Sequence, residues 1–218
     1  MTAIDPVQVR RVIGRFGRGL LARGGEGVDE VLFRLSEQDM TNPAYRVPEP
    51  ATKPVVKYLA ETLADLGTMD EVMAAAFAEI AAGLHWDQSA SYTDAVLGEG
   101  FTENYAWCQL IGEHGFFRGS DYHLGFLLLG PKRHYADHYH LAPELYWPLT
   151  PGSLWKKGDG AFMPRSQGEV IWHRPMVVHA TKTEDKPLLA IYVWTKDTHL
   201  PARLGMPDQS MPGGATKL

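Results

Sequence analysis

Between residues 124 and 194 the chain breaks into short β-branched and aromatic runs separated by turn signals, and this spacing restricts the fold more than any other feature. The runs cover 124–129, 135–140, 145–149, 161–163, 169–172, 177–180 and 188–194. Between them stand Gly130-Pro131, Thr150-Pro151-Gly152, Gly158-Asp159-Gly160 and Glu184-Asp185-Lys186-Pro187. Strands of this length at this interval build a sandwich or a small barrel. The character of the chain changes near residue 86, since all six tryptophans and eight of the nine histidines lie from there on.

The first half reads as helix. Val7, Val9, Val12, Ile13, Phe16, Leu20 and Leu21 predict a helix over 7–22, ended by Gly24 and Gly25. A short segment follows at 28–35, then one over 55–66 that starts after Pro54 and closes at Gly67. Residues 69–84 are rich in Ala and Met, with strong helix propensity. These helices read as packing elements that cover one open end of the barrel or form a dimer contact. The tail from Leu200, rich in Pro, Gly and polar residues, reads as mobile or draped over the surface. The class expected is therefore α+β: a helical region over 1–85, a β-barrel over 86–198 and a tail over 199–218.

Composition narrows the function classes. A net charge of −5 without a Lys/Arg cluster argues against a nucleic-acid partner. A single cysteine, Cys108, allows no internal disulfide and no thiolate-rich zinc site, and fits a reducing compartment. Asp5 and Arg10 interrupt the first ten residues, which do not read as a signal peptide, and no stretch approaches the ~20 apolar residues of a membrane span. The expected location is cytoplasmic, with no membrane partner.

The chemistry concentrates in His134-Tyr135-Ala136-Asp137-His138-Tyr139-His140-Leu141-Ala142-Pro143-Glu144-Leu145-Tyr146. In a strand, residues two apart share a face, so His138 and His140 present two imidazoles side by side. Pro143 breaks the ladder and Glu144 opens the next strand, sharing its face with Tyr146. Two imidazoles and a carboxylate suit one divalent transition metal ion, whether Zn, Fe, Mn, Co or Ni. A later strand supplies the fourth ligand. His179 is preferred because Pro175-Met176-Val177-Val178 places it at a strand start; His173 competes.

These residues resemble a known family. Gly130 … His138-x-His140-x-x-x-Glu144 … Gly152 resembles the first cupin motif, and Gly158 … Pro164 … Pro175-x-x-x-His179 a stretched second motif. Cupins are double-stranded β-helix barrels with one internal metal. Tyr146, two residues after Glu144, is similar to the cupin-type dimethylsulfoniopropionate (DMSP) lyases. So are 104–110, 127–131, 155–160 and 187–194. The branch resembled is the one with a helical N-terminal half.

The resemblance implies metal ligands His138, His140, Glu144 and His179, with Tyr146 as catalytic base and Tyr135 as a supporting or alternative site residue. It places Trp194 as a pocket aromatic. Tyr105, Trp107 and Trp172 are further candidates to face the sulfonium of a small zwitterionic substrate through cation–π attraction. The implied reaction is β-elimination to dimethyl sulfide and acrylate, and a homodimer is the implied assembly. Two other readings share the ligands: a cupin isomerase or dioxygenase, and a non-catalytic cupin that binds a small carboxylate.

Overall fold

A computed structural model describes residues 4–207. Within them the helices α1 (Pro6–Arg23), α2 (Val28–Ser36), α3 (Leu59–Met69), α4 (Glu71–Ile80) and α5 (Asp94–Leu97) precede ten strands. The strands are β1 (Tyr105–Ile111), β2 (His123–Leu129), β3 (His134–Tyr139), β4 (Glu144–Pro148), β5 (Ser153–Lys157), β6 (Met163–Arg165), β7 (Ile171–His173), β8 (His179–Thr183), β9 (Leu188–Trp194) and β10 (Arg203–Leu204). No helix among the described residues is long and apolar enough to cross a membrane.

Local chemistry sets the helix ends. The Asp5 side chain accepts from the Val7 amide, Gln8 reaches back to the Asp5 amide, and Pro6 occupies the first turn of α1. The third helix does not close at Gly67 as expected; it runs on to Met69. Asp70 marks the break instead. Its carboxylate accepts from the Met73 amide to start α4 and takes a 2.6 Å contact from Arg15 on α1. A capping carboxylate with a guanidinium partner specifies a boundary more strongly than a helical glycine does.

The strands form two five-stranded antiparallel sheets, β1-β2-β9-β4-β7 and β10-β3-β8-β5-β6, the two walls of the cupin barrel. Alternation along the first sheet divides the core in two. Leu124, Phe126 and Leu128 of β2, Leu145 and Trp147 of β4, and Leu189, Ile191 and Val193 of β9 point outward, into one cluster with the helices. Phe77 of α4 stacks on Phe126 at 4.2 Å, and Phe16 of α1 meets Trp147 at 5.7 Å. Leu127, Leu129, Tyr146, Leu188, Ala190 and Tyr192 point inward, into a second cluster. The helices therefore cover the outer face of one sheet rather than an open end of the barrel. That is why β2 and β9 read as continuous apolar runs: both their faces are buried.

Strands β1 and β5 were not among the sequence runs; their Cys, Gln, Ser and Lys residues dilute the apolar signal. The tail is another difference. Arg203 and Leu204 pair with Tyr139 and His138 of β3, and the Gly205 amide donates to Asp137 O at 2.7 Å. Residues 203–204 thus extend the second sheet, while 208–218 of the expected tail lie outside the described residues.

Candidate metal centre and reaction cavity

Four side chains converge between the two sheets. His138 on β3 lies directly opposite His179, the first residue of β8. His140 follows just past the end of β3, and Glu144 opens β4 in the other sheet. All four are buried, and their ligand atoms lie within 4.8 Å of one another. The cluster comprises His138, His140, Glu144 and His179, and it includes His179 rather than His173.

The three imidazoles are held in one tautomer. Nδ1 of His138 lies 2.9 Å from Ala136 O, that of His140 2.8 Å from Ala142 O, and that of His179 2.9 Å from Val177 O. A carbonyl only accepts, so each Nδ1 carries the proton and each Nε2 keeps its lone pair for the interior. Nε2 of His140 and of His179 each stand 3.0 Å from Glu144 Oε2. The His179 nitrogen has no hydrogen-bond partner there. Acceptors facing one another in a buried space repel unless a cation lies among them, so the donor set fits a divalent metal ion.

The electrostatics agree. Burial, then the neighbouring His179 and His140, push the His138 pKa well below its ordinary value and keep that ring neutral. Burial works against ionisation of Glu144, but positive charge on the side of His140 and His179 outweighs it and holds its carboxyl well below the usual range, so the carboxylate is set to face a cation rather than a lone pair. Trp194 Nε1 donates to Glu144 Oε1 at 2.7 Å, and the Trp194 ring lies 4.4 Å from that of His140. His173 stacks on His179 at 4.1 Å, opposite Glu144, as a wall of the site.

Above the cluster opens a cavity of about 440 Å³. Strand parity supplies its lining: Tyr105, Trp107 and Gln109 alternate along β1, Tyr192 and Trp194 along β9, and Glu144 and Tyr146 along β4. Tyr135 also lines it, although simple alternation from His138 would turn it outward. A β-bulge between Tyr135 and His138 reverses the parity and lets both face inward. The Tyr135 ring stacks on His138 at 4.1 Å, and its hydroxyl is 3.0 Å from that of Tyr92, which descends from the loop before α5. Pro201 and Ala202 of the tail close one side. Among the described residues no Lys or Arg lines this cavity.

Of the aromatic residues expected to face substrate, Tyr105, Trp107 and Trp194 do line the cavity, but Trp172 does not. It lies on the outward side of β7 among the helices, its ring directly over Gly27. Sequence reasoning had missed Tyr92, Gln109, His123 and Tyr192. Gln109 and Tyr192 were detectable as the i+2 neighbours of Trp107 and Trp194; Tyr92 sits on a loop with no periodicity to reveal it.

Comparison with known proteins is decisive on ancestry. The dimethylsulfoniopropionate lyase family model matches residues 28–190. The chain belongs to the DMSP lyase family. DddL of Cereibacter sphaeroides, whose name gives DMSP lyase as a provisional activity, is 32% identical over 157 residues, 71% of this chain and 64% of that protein. The DMSP lyase DddQ of Ruegeria pomeroyi is 29% identical over 136 residues, 59% of this chain and 64% of the relative. The matches thus span a little under two thirds of these relatives. A crystal structure of the Ruegeria pomeroyi DddQ superposes with a TM-score of 0.74 at 23% identity, over 92% of this chain and 97% of that one. A structure reported with the DMSP lyases RdDddP and RnDddQII gives 0.65 at 21% identity, over 87% and 100%. At these identities the superpositions establish the shared fold.

Proposed function

We propose that this chain is a metal-dependent DMSP lyase that splits its substrate by β-elimination into dimethyl sulfide, acrylate and a proton. The observation that carries the reading is the set of three tautomer-fixed imidazoles and one carboxylate with the Tyr146 phenol two residues along the same strand face.

The reaction removes a proton from the carbon next to a carboxylate, a poor acid because its conjugate base carries a second negative charge. His138, His140, Glu144 and His179 would hold a divalent cation, which would supply Lewis acidity toward a carboxylate and positive charge favouring a phenolate. Tyr146 takes the proton at its phenolic oxygen. Burial and the Glu144 charge hold that phenol well above its ordinary pKa in the metal-free protein, so its activity as a base depends on the filled site. Trp194 keeps one Glu144 oxygen engaged and so fixes the carboxylate's orientation. Tyr135, hydrogen-bonded to Tyr92, supports the ring of His138.

The walls suit the other end of the zwitterion. Tyr105, Tyr192, Trp107 and Trp194 offer aromatic faces, and the absence of Lys and Arg from the lining leaves a sulfonium unopposed. The leaving group is a neutral sulfide, which departs without a proton donor.

The test is release of dimethyl sulfide into the headspace over metal-loaded protein given DMSP. Tyr146→Phe is expected to lower kcat by ~10²–10⁴-fold with the bound metal unchanged. Release from the native protein no greater than from that variant would overturn the lyase reading.

A further inference from the structure

A second cavity, of about 610 Å³, lies on the far side of His123, whose ring lines both spaces and stacks on Trp194 at 5.9 Å. It is built from the connection between β1 and β2, from Thr198 and His199 beyond β9, and from Arg46. Its character is opposite to that of the reaction cavity. Two guanidiniums, Arg46 and Arg118, face a single carboxylate, Glu113, and the remaining nitrogen-bearing side chains are the imidazoles of His114, His123 and His199.

The two arginines are not equivalent. Arg46 is committed to the fold: Nε donates to Gly115 O at 2.9 Å, and Nη2 to Gly112 O at 2.6 Å and to Glu113 O. Arg118 is exposed, and its guanidinium makes no ion pair or hydrogen bond among the described residues. The arginines are close enough to repel: burial, and after it the Arg118 charge, lower the Arg46 pKa, with Glu113 pulling less strongly the other way. Like charges held at one cavity, one of them with all its donors unused, form a site for an anion.

The charge balance selects its valence. Among the lining arginine and carboxylate side chains, two guanidiniums stand against one carboxylate, an excess of one positive charge that a monoanion matches and a dianion exceeds. The planar fork of a guanidinium matches a carboxylate in two parallel hydrogen bonds. We propose that this cavity binds a small monocarboxylate, gripped by Arg118 with His114 and His199 as further donors. The site is separate from the metal centre, and its assignment does not rest on the lyase reading. Should that reading hold, the reaction product is itself such an anion, and His123 is the partition between where it forms and where it binds.

Equilibrium dialysis of the full chain against radiolabelled propionate tests this near neutral pH, with the metal-loaded protein and again after chelation, which removes any carboxylate held at the metal centre. In both states Arg118→Gln is expected to weaken one propionate site by at least about tenfold, and Arg118→Lys, which keeps the charge but not the fork, to restore only part of the loss. Propionate binding identical in native protein and Arg118→Gln would overturn the proposal. Sulfate, a dianion at this pH, displacing propionate at lower concentration than acetate does would overturn the monoanion assignment. Dimethyl sulfide release measured on the same samples separates the two readings: its absence would remove the lyase assignment and leave the propionate result standing.

Discussion

A single hydrogen bond connects the aromatic wall of the candidate reaction cavity to the candidate metal centre. The Trp194 indole holds Glu144 Oε1 at 2.7 Å, and the other carboxylate oxygen faces two imidazoles. Trp194→Phe keeps an aromatic face but frees the carboxylate to rotate. Metal affinity, measured by competition with a chromogenic chelator, is expected to fall by ~10–100-fold, while the fold, monitored by circular dichroism, stays intact. At this scale the sequence was informative where spacing and residue type coincide: His138, His140, Glu144 and His179 are ligand types set at strand spacing. It was uninformative where backbone geometry intervenes. The bulge that turns Tyr135 inward leaves no mark in the order of residues. Trp172 misled because β7 is buried on both faces, so hydrophobicity could not say which face its indole occupies.

Between elements, one tight fit is where the turn into α2 meets β7. Gly27 has φ +81° at the start of α2, and a Cβ there would stand 2.2 Å from the Trp172 ring. Gly27→Ala combines a left-handed backbone with a steric overlap, at a cost of about 2–3 kcal/mol. A thermal melt should show Tm lowered by roughly 5–10 °C. Helix positions were legible because apolar periodicity and caps agree, as in α1 with Asp5, Pro6 and Gln8. Where the helices dock was not, since an amphipathic stripe states that a face is buried and not against what. The uninterrupted apolar runs of β2 and β9 held the missing information: a strand with no polar face needs a cover on each side.

Across the whole molecule, titration of buried imidazoles links folding to acidity. Burial lowers the His123 pKa from 6.5 to about 4, with Asp121 and Glu113 opposing it only in part. The unfolded chain therefore binds the proton first. The stability His123 contributes is complete above its unfolded pKa and drains away as pH falls from 6.5 toward about 4. Near pH 5 the loss from this one ring is about 2 kcal/mol. Urea denaturation at neutral pH and near pH 5 should show native protein losing that much more than His123→Gln, in which the position no longer titrates. The three buried imidazoles and Glu144 belong to opposite sheets, joined otherwise by loops and by packing of the inner cluster. An ion seated among them would act as a rivet through two plates. Dialysis against a strong chelator should lower Tm in proportion to how far free metal had exceeded its Kd, a difference of about 4 kcal/mol at a thousandfold excess. The reagent that silences the chemistry would then also loosen the walls around it.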